Sequence, residues 1–287
     1  MSKRFSVLVQ YIAPKQALTA FAGKLAHAQA GWLTTAVIRW FVQRYQVNMA
    51  EAANPDISSY ASFNDFFTRA LRPGARPQAN TKLTCPVDGA ISQFGFITAD
   101  QIFQAKGHSY STTALVGGNK DIAAQYQDGS FATIYLSPRD YHRIHMPCDG
   151  KLLSMTYVPG DLFSVNPATA EDVPGLFARN ERVVCEFAST QGNFVLVLVG
   201  ATIVGSMATV WHGIVNPPRP GKIKSWDYRG HNIFLKQGEE MGRFLLGSTV
   251  VLLFPQTDAV AFNPSWAPAR TVRLGEAMAT SPHENQL

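Results

Sequence analysis

Charge is scarce in this chain of 287 residues, and acid is scarcer than base. Charged residues make up 16% and hydrophobic ones 46%, which excludes a disordered chain and implies that some surface meets something other than water. Basic side chains number 25 and acidic ones 20, a formal charge of +5, so an anionic partner is favoured: nucleic acid, a phosphorylated substrate or an anionic membrane. No acid occurs before Glu51, whereas Lys3, Arg4, Lys15, Lys24, Arg39 and Arg44 all precede it. Cysteine is limited to Cys85, Cys148 and Cys185. An odd number, far apart and without a Cys-x-x-Cys pair, excludes a disulfide framework and suits reduced, buried thiols in a cytosolic setting.

Long apolar runs are also missing. Residues 187–218 carry no formal charge, yet Gly200, Thr202, Gly205, Ser206, Thr209 and His212 interrupt them, and the β-branched texture of "FVLVLVGATIVG" reads as two or three buried strands rather than a membrane span. No internal repeat and no low-complexity tract is present. The N-terminus lacks the compact apolar stretch and cleavage site of a secretory signal, and it is too aromatic and too poor in serine for a mitochondrial transit peptide.

What is present divides the chain in two. In "GWLTTAVIRWFVQRYQ" the apolar residues Leu33, Ala36, Val37, Trp40 and Phe41 recur at helical spacing, with Thr34, Arg39 and Gln43 toward the other side. A basic, tryptophan-bearing amphipathic helix suits a headgroup interface, and it equally suits packing on its own domain. "SFNDFFTRAL" predicts a further helix capped by Ser62, with Asp65 in the complementary position. "RPGARP", Arg72 to Pro77, ends it and marks a boundary. Beyond it "FATIYLS", "KLLSMTYVPG", "VVCEF" and "STVVLLF" read as strands. The expected fold is α+β: a basic helical region over 1–77 and a β-rich, largely antiparallel catalytic domain over 78–287.

Three stretches hold the polar groups that chemistry needs: "CPVDGAISQFG" with Asp88, "SPRDYHRIHMPCDG" with His142 and His145, and "LGST" with Ser248 at the mouth of the apolar run Val250 to Phe254. Acid, base and hydroxyl together allow proton removal from serine to histidine. The Gly-x-Ser-x-Gly elbow of an α/β-hydrolase is absent, because Leu246 precedes Gly247-Ser248 and a strand follows. His142, His145 and Cys148 include plausible zinc ligands, but a second ligand pair is missing and, if the segment is extended, a spacing of three turns the two imidazoles to opposite faces. A metal-free site is expected. On the residues alone two functions are open: a Ser-His-Asp hydrolase that leaves its chain whole, and a membrane-binding module without catalysis.

"LGST", "YHRIHMP", "PVDGAISQFG", "QAKGHSYS" and "VPGDLFSVN" together closely resemble bacterial phosphatidylserine decarboxylase, a pyruvoyl-dependent membrane enzyme, across almost the whole chain. The resemblance implies self-cleavage between Gly247 and Ser248 into chains 1–247 and 248–287, held together non-covalently, with Ser248 becoming the covalent pyruvoyl cofactor. It implies that His145 is the base and Asp88 its orienter in that cleavage. It further implies that the pyruvoyl group forms a Schiff base with phosphatidylserine and releases carbon dioxide to give phosphatidylethanolamine, with His142 protonating the carbon left behind. A homodimer, peripheral on the cytoplasmic side of the cell membrane and independent of nucleic acid, is expected on the same ground. Lys106 is read as a solvated surface lysine.

Overall fold

The computed structural model describes residues 10–11, 15–190, 192–202, 206–245, 248–256 and 260–279. Helices lead the chain: α1 is Lys15–His27, α2 Trp32–Tyr45 and α3 Phe63–Phe67. Helix α3 starts where the capping signal placed it. Ser62 Oγ accepts from the Asp65 backbone N–H at 3.1 Å and donates to the Asp65 carboxylate at 2.8 Å, so one unpaired N–H of the first turn is satisfied and the side chains lock each other. Helix α2 ends at Gln46, which takes the left-handed conformation (φ 56°).

Helix α2 has the predicted period, but its apolar stripe does not face the protein. Thr34 and Ile38 are the buried residues, while Leu33, Val37 and Trp40 are exposed. The helix docks through Ile38, with Phe41 packed against Phe63, Phe66 and Phe67 of α3. Helix α1 likewise leaves Leu18, Phe21 and Leu25 in the open. Among the described residues no helix is long and apolar enough to cross a membrane.

From Gly89 onward strands dominate: β1 Gly89–Phe96, β2 Ser130–Leu136, β3 Arg143–His145, β4 Gly150–Val158, β5 Arg182–Ser189, β6 Gly192–Val199, β7 Met207–Thr209, β8 Gly213–Asn216, β9 Lys224–Asp227, β10 Glu240–Phe244, β11 Ser248–Phe254 and β12 Thr271–Val272. A nine-stranded sheet runs β9-β4-β5-β6-β11-β2-β1-β12, with Phe234–Leu235 added beside β4; a four-stranded sheet runs β8-β7-β10-β3. The strand pairs within them are antiparallel.

The centre of the large sheet is covered on both faces, which is why its strands read as unbroken apolar runs. Val250 and Leu252 of β11, with Leu196 and Leu198 of β6 and Ala132 and Ile134 of β2, pack toward Ile144, Met207, Met241 and Phe244 of the four-stranded sheet. The alternate residues Val251, Leu253, Val195 and Val197 pack toward Ile38, Phe66 and Phe67 of the helices. Cys85, Cys148 and Cys185 are free and buried among these side chains. Burial raises all three thiols, Cys148 to about 12, so they stay protonated and inert near neutral pH.

Candidate active site

Two crossovers between the sheets bring the polar residues to one corner. The chain leaves β2 at Leu136 and enters β3 at Arg143; it leaves β10 at Phe244 and enters β11 at Ser248. β2 neighbours β11 in one sheet, with Leu136 opposite Ser248, and β3 neighbours β10 in the other. The Phe244 N–H donates to the His142 carbonyl at 3.0 Å. Ser248 and His142 are thereby tied to adjoining ends of the same two connections. Leu246 and Gly247, and with them the expected Gly247–Ser248 bond, lie outside the described residues.

Ser248 is only 1% exposed, and its Oγ has no hydrogen-bond partner among the described residues. A buried hydroxyl without a partner is costly, commonly by about 1–3 kcal/mol; Thr249, next along the strand, shares the feature, and Ser248 differs in standing directly after the expected cleavage point. His142 has the matching feature. Its Nδ1–H donates to the Asp140 carbonyl at 2.8 Å, which leaves the Nε2 lone pair buried with no partner among the described residues. Its ring lies 4.1 Å from that of Phe67, and burial, opposed by the Asp140 bond, drives its pKa down to about 3. His142 is therefore neutral, and its Nε2 accepts a proton rather than donates one.

His145 has both nitrogens engaged. Nδ1–H donates to Gly238 O at 2.7 Å, so Nε2 accepts from the Tyr141 hydroxyl at 3.1 Å. Burial lowers its pKa, while the Gly238 bond and the charges of Glu240 and Asp88 oppose the shift. Burial also pushes Tyr141 up to about 12, which keeps its proton on.

Asp88, just ahead of β1, makes no hydrogen bond to either imidazole among the described residues. Its carboxylate accepts from Arg76 Nε at 2.8 Å and from the Leu274 N–H at 2.9 Å. Arg76 reaches Glu51 at 2.7 Å as well, and Glu51 meets Arg273 at 3.3 Å. The direct Asp88–His145 bond expected of an orienter is thus replaced by Gly238 and Tyr141 on the histidine and by Arg76 on the acid. Glu51, Arg76, Tyr141 and Gly238 are the members that sequence reasoning passed over. Tyr141 stands inside "YHRIHMP", but Arg76 stands in the turn-rich "RPGARP", where only the folded chain reveals its partner.

Among the described residues no three His, Cys, Asp or Glu side chains are placed to hold a metal. Lys106 is paired with Glu171 at 2.7 Å.

A family model described as phosphatidylserine decarboxylase matches residues 63–280, which is most of the chain. The chain belongs to the phosphatidylserine decarboxylase family. A second model, described as PSD, matches residues 5–46, so the helical start is covered too. Proteins named phosphatidylserine decarboxylase proenzyme align over nearly the full length. That of Methylobacillus flagellatus is 75% identical over 279 residues, covering 97% of this chain and 100% of the relative. That of Dechloromonas aromatica is 71% identical over 281 residues, 98% and 99% of the two chains, and that of Polaromonas naphthalenivorans 68% over 289, 100% of both. The stretches that first suggested this family, LGST, YHRIHMP and the Asp88 segment, form the corner described above or lead directly into it.

Proposed function

We propose that this chain is a phosphatidylserine decarboxylase proenzyme that cleaves itself between Gly247 and Ser248 and then decarboxylates phosphatidylserine to phosphatidylethanolamine. The observation that carries the reading is the buried, partnerless Ser248 Oγ at the head of β11, in a chain whose family relatives are named proenzymes. Asp88, His142, His145 and Ser248 make up the proposed catalytic set.

In the cleavage, the Tyr141 hydroxyl gives up its bond to His145 Nε2, which then takes the proton of Ser248 Oγ as that oxygen attacks the Gly247 carbonyl carbon. The C–N bond breaks as the proton passes to the Ser248 nitrogen, leaving an ester. Loss of the Ser248 α-proton with departure of the ester oxygen gives a carbon–carbon double bond; one water then replaces the nitrogen, and ammonia leaves. Asp88 stabilises the charge on His145 through space, and its contact with Arg76 fixes its position. The fit of a pyruvoyl group rests on the surroundings of that Oγ: the oxygen leaves with the Gly247 carboxylate, and because nothing among the described residues bonds it, a methyl group takes its place without the loss of a hydrogen bond.

The pyruvoyl carbonyl at the Cα of residue 248 would supply an electrophile for the substrate amine and a sink for the electrons left by carbon dioxide. His142 Nε2 takes a proton from the substrate ammonium and returns one to the α-carbon after decarboxylation, a role suited to a neutral imidazole with an open lone pair. Phe67 and the surrounding core exclude water from that nitrogen.

The functional division follows: a membrane-associating region over 1–77 and a catalytic domain over 78–287 that becomes chains 1–247 and 248–287. Strand β11, buried from Ser248 to Phe254, lies between β6 and β2 and supports tight non-covalent retention of the small chain. Trp32 (76% exposed) and Trp40 (59%), beside Leu18, Phe21 and Leu25, favour peripheral attachment to an anionic membrane; the cytoplasmic side and a homodimer are proposed from the family resemblance alone. The test is a denaturing gel of purified protein beside carbon dioxide release from phosphatidylserine vesicles. Two fragments and release are expected, and release from a wholly uncleaved chain contradicts the proposal.

A further inference from the structure

A groove of about 290 Å³ opens between the end of α1, helix α3 and the β7–β8 hairpin. Its floor is Gly242, Arg243 and Leu245, the segment that continues into Ser248 three residues later. We infer that this groove seats the glycerophospholipid substrate, with acyl chains at its mouth, the phosphate on Arg243 and the serine headgroup directed past Leu245. The inference rests on the proposed decarboxylase reading and adds the place where the lipid binds.

Three observations carry it. First, the mouth is apolar and open: Val210 is 50% exposed and Ile214 53% on the hairpin, and Leu25, two residues before the groove residue His27, is 59% exposed. Helix α1, whose end lines the groove, carries the further exposed apolar residues Leu18 and Phe21. Second, the charge is complementary to a phosphate. Arg143 and Arg243 flank one carboxylate, Glu240, at 2.9 and 2.7 Å, which leaves one positive charge uncompensated, and Arg243 is 35% exposed in the groove. Third, Asn64 is nine-tenths buried on the wall, and its Oδ1 has no partner among the described residues. A buried acceptor there matches an ammonium N–H, the group that phosphatidylserine carries beyond its phosphate. Apolar side chains, a cation and a buried acceptor are thus gathered on one groove, as are acyl chains, phosphate and ammonium on one lipid.

The test is photolabelling of the processed enzyme with phosphatidylserine bearing a diazirine near the carboxyl end of one acyl chain, presented in phosphatidylcholine vesicles. Adducts are expected on residues 207–216 and near Leu25. Adducts concentrated instead in the cavity of about 460 Å³ lined by Ala90, Tyr135 and Val165 would overturn the assignment. Kinetics give a second arm. Ile214→Asp should raise KM for long-chain phosphatidylserine roughly tenfold, because it places a charge against acyl chains, and raise it far less for soluble dihexanoyl phosphatidylserine. Arg243→Gln should raise KM for both. Unchanged KM in both variants sinks the groove. Loss of hairpin labelling with rising protein concentration would assign this face to self-association instead. Self-cleavage and carbon dioxide release, read separately, report on the decarboxylase reading: an active enzyme labelled elsewhere loses only the groove, and a chain that neither cleaves nor decarboxylates loses both.

Discussion

The two histidines of "YHRIHMP" should fail in different ways when each is replaced. His142 is neutral at pH 7: with its pKa near 3, only about one ring in 10⁴ is protonated. Its free Nε2 therefore serves as a proton acceptor that later returns the proton. Removing such a general acid–base group commonly costs about 10²–10⁴ in rate, roughly 2.7–5.5 kcal/mol of barrier. His142→Ala should still cleave at Gly247–Ser248 and lose decarboxylation by that factor. His145→Ala should accumulate uncleaved chain, because an unassisted serine hydroxyl is a poor nucleophile near neutral pH. The assay is a time course of cleavage on a gel beside carbon dioxide release from each variant, with thermal unfolding to separate lost chemistry from lost fold. The opposite pattern, uncleaved His142→Ala and normally processed His145→Ala, would refute the division. It would mean that Ser248 Oγ and His142 Nε2, both without a partner among the described residues, serve each other in the cleavage step.

Three further outcomes are expected. Native His142 stays neutral to about pH 3, whereas the unfolded residue titrates near 6.5; as pH falls below 6.5 the unfolded state gains a proton that the native state does not. Stability is then lost progressively between pH 6.5 and 3, by roughly 2 kcal/mol at pH 5, and urea melts of His142→Leu should lack this component. Arg76→Ala leaves the Asp88 and Glu51 carboxylates without their shared guanidinium; it should cost about 3–5 kcal/mol in the same melts and slow self-cleavage, with Arg76→Lys milder. Replacing exposed Trp32 and Trp40 together by Ser should weaken flotation with anionic vesicles. Attachment should also fall with salt, since each nearby basic residue contributes about 1 kcal/mol; flotation unaffected by either change would make these helices structural only.

Much of the framework was legible because it depends on local pattern. β-Branched runs such as "STVVLLF" announce strands covered on both faces, and Ser62 with Asp65 announces the start of α3. For α2 the period gave the helix but not its orientation: an apolar stripe normally turns inward, and here Leu33, Val37 and Trp40 turn out. At the site, residue types were legible and partners were not. A hydroxyl, two imidazoles and a carboxylate suggested a relay, but which atoms meet depends on crossovers between two sheets. Asp88 found Arg76, 12 residues earlier, and Leu274, 186 residues later. His145 found Gly238, 93 residues away. Strand β3, three residues long, is too short for periodicity to reveal.

The most direct test of the central claim is the intact mass of the purified protein under denaturing conditions. Two species are predicted, one ending at Gly247 and one spanning 248–287 with a carbonyl-bearing, amine-free residue at position 248. A single unbroken chain that retains the Ser248 side chain and still releases carbon dioxide from phosphatidylserine would contradict it.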